Sequence, residues 1–469
     1  MIVEKVRDIF PKLAVEKDVF NRGDVWCLLQ RPESSLDHLT QAFQISIRED
    51  EEPDEIWQTA YRWYERKEPK KLELIRRGLL YRNREKRLPE SLARELYCKD
   101  ESRTLTLSPS KLERYSRCPF SYFVTFGLRP EERRIFEVAG REIGDVYHQC
   151  LREFAEGLTL QGMDVTDPES PWMTLTREDS DDKVEAIMGR IARCYREGVL
   201  YSGEEELYRT KRITEVCQNA AWALAEQVKR GEISRMQFEL PFGRASGKPL
   251  PAVEINTQQG TVFIEGIIDR VDILPGDYVK ILDYKSGGES FYAKEARQGW
   301  KLQLMLYLRA VTEGSRLRGK EMQPAGVFYF RIANPSFEVD AKARNERNDE
   351  HEQKILRSFR LDGVVLDDPA VIRSLAGEFT SSSEILPLRN TKEGIKGTGG
   401  ETLLSDEEFK ELQETVKRTV DEICSSLAKG TADVSPKKSG EITACTYCPN
   451  KNICNFELTF DGCRYHVVI

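Results

Sequence analysis

Residues 266–285, GIIDRVDILPGDYVKILDYK, read as two strands joined by a tight turn at Pro275-Gly276-Asp277. With the hairpin centred near Gly276, Asp269 lies across from Asp283, since each is seven positions away. Alternation puts Ile267, Val271 and Ile273 on the face of Asp269, and Val279, Ile281 and Lys285 on the face of Asp283. Two aspartates and a lysine then share one side of an otherwise apolar ribbon. Cross-strand neighbours hold their Cβ atoms about 4.5–5.5 Å apart, where like charges repel. Burial raises that cost unless something pairs the carboxylates. A divalent cation is the simplest partner, with Lys285 as a second positive charge beside it. The layout is that of a metal-dependent phosphodiesterase site.

The chain of 469 residues has room for two or three domains and a sizeable core. Hydrophobic residues at 39% and charged residues at 32% describe a soluble, globular chain. No apolar run reaches spanning length, and the opening MIVEKVRDIF lacks the apolar stretch of a signal peptide. A cytoplasmic location is expected, where eleven cysteines do not form a disulfide framework. Seven of them, Cys27, Cys98, Cys150, Cys194, Cys217, Cys424 and Cys463, are scattered and read as buried free thiols. A net charge of −8 argues against a uniformly basic nucleic-acid binder, although local fields decide binding. The segment Arg62 to Arg94 holds twelve Lys or Arg against five Glu, and it follows Trp57, Tyr61 and Tyr64 at helical spacing. It is either a platform for single strands or a helix with an aromatic core face and a solvated basic face. No G-x-x-x-x-G-K-[ST] loop occurs, so the chain carries no P-loop ATP site.

Four segments are expected. Residues 1–104 read as helical, with EDEEPDE at 49–55 as an exposed turn. Residues 105–332 form an α/β (α+β) core. It opens with a helix at Ser108-Pro109-Ser110, where Ser108 can cap, Pro109 suits the first turn, and Ser110 and Glu113 match a capping box. The same helix is expected to continue through LERYSRCPFSYFV. Further helices are expected at about 136–158, 181–231 and 294–313, and strands near 236–243, 251–256, 261–274, 278–285 and 325–332. Residues 333–404 read as a polar, loop-rich insertion with a mobile part around KEGIKGTGGET. Residues 405–469 hold a helix to about 428 and then a cysteine cluster.

Four pieces order themselves around the hairpin. Gly144 and His148 lie one turn apart on a helix, and the missing side chain at Gly144 leaves room for an ion or phosphate. Asp269 follows, then Asp283-Tyr284-Lys285, then Gln303 and Tyr307 one turn apart on the next helix. Each piece alone is weak; the order is specific. It resembles the nuclease domain of the RecB and AddB family, within the PD-(D/E)XK superfamily. The resemblance implies a restriction-endonuclease-like core, a central mixed sheet flanked by helices. It implies that His148, Asp269 and Asp283 bind Mg2+ (or Mn2+), helped by the Tyr284 carbonyl. Lys285 would then orient or activate water, with Gln303 and Tyr307 in support.

Cys445, Cys448 and Cys454 put three thiols in ten residues, a short metal loop lacking one ligand. Cys463 and Cys118 are both candidates for the fourth. By spacing alone, a zinc site through Cys463 and an iron–sulfur site stand about even. SPSKLERYSRCPFSYFVTFGL and CTYCPNKNICNFE resemble segments of the B-subunit family of AddAB helicase–nucleases. That resemblance implies a structural 4Fe–4S cluster on Cys118, Cys445, Cys448 and Cys454. It also implies a heterodimer with an AddA-like helicase–nuclease subunit, with DNA as substrate. The expected activity is single-strand exonuclease or end processing on the 5′-ended strand, in recombinational double-strand-break repair. The family's B subunit is far longer, so the chain is expected to be a carboxy-terminal part or a truncated product. The competing readings are a catalytically silent DNA-binding or scaffold fragment and a stand-alone nuclease of a mobile element.

Overall fold

Amphipathic periodicity builds the first of two units, residues 1–84 with 455–463. The computed structural model describes residues 9–10, 25–80, 87–98, 104–131, 140–195, 199–200, 203–332, 349–458 and 463–468. In the first unit, helices α1 (Pro32–Glu49), α2 (Glu55–Lys67) and α3 (Pro69–Leu79) surround a small core of Leu39, Trp57, Tyr64 and Leu72. Pro32 and Pro69 sit in first turns, where no backbone donor is needed. Tyr61 stacks on Phe43 at 5.2 Å. The aromatic stripe is thus core, while Lys70, Lys71, Arg76 and Arg77 are exposed. Residues 81–86 of the basic segment lie outside the described residues.

The second unit spans residues 85–454 and 464–469. Its elements begin with α4 (Glu90–Tyr97), β1 (Leu105–Leu107), α5 (Pro109–Arg117), α6 (Gly140–Leu158), α7 (Arg177–Cys194) and α8 (Glu204–Arg230). There follow β2 (Arg235–Phe242), β3 (Val253–Thr257), β4 (Gly260–Ile264), β5 (Gly266–Leu274), β6 (Tyr278–Lys285), α9 (Ala293–Arg297), α10 (Gln303–Arg316) and β7 (Gln323–Arg331). The last part holds α11 (Asp349–Ser358), β8 (Asp362–Leu366), α12 (Pro369–Ala376), β9 (Leu388–Thr391), β10 (Gly394–Gly397), β11 (Leu403–Leu404), α13 (Asp406–Ala428) and β12 (Lys437–Ser439).

Several boundaries differ from expectation for local reasons. Ser108 caps α5 as expected, accepting from Lys111 N, but the Ser110–Glu113 capping box does not form, because Glu113 spends its carboxylate elsewhere. The helix breaks at Cys118, which is extended, and restarts at Pro119. The strand expected over 261–274 is two, parted at Glu265, whose N–H donates to Leu107. The helix expected over 294–313 breaks around Gly299, at φ 76°. Residues 349–404, read as loop-rich, supply two helices, the β9–β10 hairpin at the expected mobile loop, and strands of the central sheet. Of the scattered thiols, Cys150, Cys217 and Cys424 are buried, but Cys194 is exposed. No described helix is long and apolar enough to cross a membrane.

The central sheet runs β11-β8-β7-β6-β5-β2 and is mixed: β6 and β7 are parallel, while β5 is antiparallel to both neighbours. A smaller sheet, β1-β4-β3, receives the chain on the other side of Glu265. Helix α10 packs on β6 and β7, and α6, α7 and α8 pack on one another. With both faces covered, β6 is buried along nearly its whole length, including its charged residues. The turn at 275–277 uses positive φ at Gly276 and Asp277, 77° and 61°.

The face opposite the two aspartates is not apolar either. Arg270 donates two hydrogen bonds to Asp272, at 2.7 and 2.9 Å, and Lys280 lies 2.9 Å from the same carboxylate. All three side chains are almost fully buried. Burial weighs against the Asp272 charge, but the two cations outweigh it and hold the carboxyl below its usual range. Removing one member leaves uncompensated buried charge, whereas replacing the whole triad by apolar residues does not. Asp272→Ala is expected to destabilise the chain by roughly 3–5 kcal/mol in urea unfolding, and Arg270→Met/Asp272→Leu/Lys280→Met together by far less.

Candidate functional site

The β5–β6 register pairs Arg270 with Leu282 and Val271 with Ile281; one step further, Asp269 faces Asp283, as the hairpin reading requires. Asp269 Oδ2 accepts from Tyr284 N at 2.9 Å and lies 3.3 Å from His148 Nδ1. The His148 imidazole also bonds to the Tyr284 backbone, and the two rings meet edge to face at 5.7 Å. Burial, and next the Asp283 carboxylate, push the Asp269 pKa well above the usual range. Burial pushes His148 down, which favours the neutral, ligating imidazole. Desolvation also weighs against the Lys285 ammonium, but Asp283 outweighs it and the pKa is raised.

Lys285 Nζ lies 2.6 Å from Asp283 Oδ2, donates to Gln303 Oε1 at 2.9 Å, and sits 5.3 Å over the Tyr329 ring. Gln303 Nε2 donates to Asp283 Oδ1 at 2.9 Å and to Tyr307 OH at 2.8 Å. One amide side chain therefore holds the lysine, the carboxylate and the tyrosine together. All seven residues singled out in the sequence, His148, Asp269, Asp283, Tyr284, Lys285, Gln303 and Tyr307, meet at this end of the sheet.

Gly144 brings α6 close to the chain beyond β6. A Cβ there would lie 3.1 Å from Ser286 Oγ, so the glycine lets α6 approach the segment after β6. Two carboxylates were missed. Glu239 drops out of the β2–β5 ladder between Phe238–Arg270 and Leu240–Ile268, at φ 46°. A non-glycine residue held there costs of order 1–3 kcal/mol, and such strain gathers at functional sites. Its position faces Asp269, its charge acts on Asp269 and His148, and Arg152 lies 3.9 Å away. Its sequence signal, one acid in the strand MQFELPF, is too slight to single it out. Glu113 is the other, and its carboxylate binds the start of α10.

Among the described residues, no group of three or more His, Cys, Asp and Glu side chains is drawn up as a ready ion cage. The donor chemistry nevertheless fits a hard divalent cation. It comprises a neutral-leaning imidazole, the carboxylate of Asp269 with its raised pKa, the facing carboxylate of Asp283, and a carbonyl. The Asp283 oxygen facing Lys285 makes an ion pair without aligned hydrogen-bond geometry.

Two distant pieces of chain bring four thiols near one another, though these too are not drawn up as a ready ion cage. Cys118 and Cys454 are buried, with Cys445 and Cys448 half-buried. Burial pushes the Cys118 thiol up to about 11, and Cys445 and Cys448 are among the charges acting on it. Cys445 in turn responds to Cys448 and Cys454. Cys448 Sγ lies 3.7 Å from Ser121 Oγ, and Asn450 Nδ2 bonds to Ser121 and Thr125. Cys463 falls in the other unit.

Comparison with known proteins agrees with this geometry. Residues 106–455 match the PD-(D/E)XK nuclease superfamily, and residues 25–78 match the fifth domain of the ATP-dependent helicase/deoxyribonuclease AddB. The chain is 32% identical over 478 residues to the B subunit of the ATP-dependent helicase/deoxyribonuclease of Alkaliphilus oremlandii, covering 100% of this chain and 40% of that one. It is 31% identical over 476 residues to the protein of the same name from Thermoanaerobacter sp. strain X514, covering 99% and 40%. In Clostridium botulinum strain Hall the figure is 29% over 484 residues, covering 100% and 40%. The chain thus spans about 40% of the length of these relatives. It is an AddB homologue and belongs to the PD-(D/E)XK nuclease superfamily.

Proposed function

We propose that this chain is a divalent-metal-dependent deoxyribonuclease that hydrolyses phosphodiester bonds at the ends of unwound DNA. The observation that carries the reading is Lys285 Nζ held between Asp283 and Gln303, beside two carboxylates whose burial calls for a cation. The central sheet with the β5–β6 hairpin would be a restriction-endonuclease-like core. His148, Asp269, Asp283 and the Tyr284 carbonyl would hold Mg2+ or Mn2+. Bound there, the ion would polarise the phosphate and make attacking water acidic. Lys285 would orient or activate that water and stabilise charge developing on the phosphate. Gln303, braced by Tyr307, keeps the ammonium and the Asp283 carboxylate in fixed relation, so little rearrangement is needed during reaction.

Similarity to relatives named as B subunits of an ATP-dependent helicase/deoxyribonuclease supports the wider setting. In it the chain works beside an AddA-like subunit that drives unwinding, trims the 5′-ended strand, and serves recombinational repair of double-strand breaks. Cys118, Cys445, Cys448 and Cys454 would hold a 4Fe–4S cluster, tying segments more than 300 residues apart. Four thiolates suit such a cluster, and the buried Cys118 needs a positive partner to ionise.

Three outcomes check the reading. Asp283→Ala and Lys285→Ala are each expected to cut magnesium-dependent cleavage of 5′-labelled single-stranded DNA by about 10²–10³-fold or more, with folding retained. Full activity in either purified variant would refute the site; no cleavage by folded wild type would favour the silent scaffold. The second outcome concerns pH. Metal competes with the proton on Asp269, whose raised pKa keeps it protonated to unusually high pH. Activity should fall on acidification, and more magnesium should move that acid limb to lower pH; an unmoved limb contradicts Asp269 as a ligand. Third, Cys448→Ser should lose iron, brown colour and thermal stability. Colourless wild type holding stoichiometric zinc after oxygen-free purification would overturn the cluster assignment.

A further inference from the structure

Helix α5 is nine residues long, yet two of its side chains grip residues 298–303, the turn that leads into α10, and a third reaches that turn through Lys437. Leu302, at the N-cap of α10, offers no side-chain acceptor. Glu113 supplies one from far away in sequence. Its Oε1 accepts from Leu302 N at 2.6 Å and from Gln303 N at 2.9 Å. A carboxylate there satisfies orphan N–H groups and meets the positive end of the helix. Glu113 Oε2 lies 3.5 Å from Arg117 Nη2. Arg117 donates to the Trp300 carbonyl and lies 4.9 Å over its ring. Ser116 accepts from Lys437 Nζ at 2.8 Å, and the same ammonium donates to Gln298 O at 2.7 Å. Gly299 closes the fit, since a Cβ there would lie 2.5 Å from Ser116 Oγ.

Gln303 gives this clamp its meaning. Its backbone N–H is bound by Glu113, and its side chain binds Lys285, Asp283 and Tyr307. We propose that Glu113 is a positioning residue for the reaction, fixing the first turn of α10 and so setting where Gln303 holds Lys285 and Asp283. The consequence for cleavage rests on the nuclease reading above; the clamp itself does not. Without the carboxylate, the first turn of α10 loses its only side-chain cap and Gln303 drifts. The substrate strand is still bound, so binding suffers less than turnover.

The test uses the 469-residue chain with magnesium and single-stranded DNA, comparing wild type, Glu113→Ala, Glu113→Gln, Glu113→Asp and Asp283→Ala. Glu113→Ala should lower kcat on the order of 10²-fold, while KM for DNA stays within about twofold. Glu113→Gln, whose carbonyl oxygen still accepts both N–H groups, should recover most of the loss. Amide hydrogen exchange over residues 298–307 should quicken in Glu113→Ala, with β6 still protected. Wild-type kcat in Glu113→Ala overturns the proposal, as does a loss matched by an equal loss of folded protein. If Glu113→Ala does not fold, Glu113→Asp replaces it: the shorter side chain withdraws the carboxylate and should lose kcat where Gln keeps it. The reverse ranking overturns the proposal. If wild type does not cleave, or Asp283→Ala cleaves equally well, the nuclease reading falls by itself. The exchange measurement then decides the clamp: faster exchange supports it, and unchanged exchange overturns it.

Discussion

Two carboxylates, Asp283 buried and Asp269 half-buried, placed opposite each other on a hairpin are the constraint from which the rest of the second unit follows. In water, Asp269 and Asp283 would repel weakly; inside a covered sheet burial, and next the repulsion from Asp283, lift the Asp269 pKa. Glu239 adds to that cost, and four other neighbours answer it. Lys285 brings charge, Gln303 brings a donor, the Tyr284 N–H bonds to Asp269, and His148 approaches from α6. Helix α10 packs on β6 and β7, and α6 comes close to the segment after β6 at Gly144, but the side chains that these helices bring to the site are the ones that electrostatics calls for.

The hairpin and its register were legible because period-two alternation and a Pro-Gly-Asp turn leave few alternatives. Gln303 and Tyr307 were legible because they stand one helical turn apart after an Asp-x-Lys strand end. What escaped depended on contacts remote in sequence. Glu113 matched a local capping box with Ser110, but its carboxylate caps a helix 190 residues downstream. Glu239 gives no local sign, because its strained backbone arises only once β2 lies against β5. The break at Gly299 is likewise a matter of fit against Ser116. The central-sheet strands β8 and β11 hid in a polar stretch, since both are short and one lies at an edge.

The cysteine segment and the nuclease end of the sheet are joined mechanically through α5. One end of that helix breaks at Cys118, and its body grips the turn before α10. Lys437, a few residues ahead of Cys445, reaches the same turn. Loss of order among the thiols therefore has a short, contiguous route to Gln303.

The buried triad on the back of the hairpin carries a consequence for assembly. Strand pairing is ambiguous by single steps, because a one-residue slip keeps most backbone bonds while exchanging the two faces. Here, a slip of β6 against β5 would separate Lys280 from its directly paired Asp272. It would also move Asp283 out of line with Asp269. Mispaired hairpins would thus strand charge on both sides of the sheet at once, and only one alignment leaves every buried ion matched. The pattern of alternating charges acts as an error check on folding, admitting the one register in which Asp269 and Asp283 come face to face.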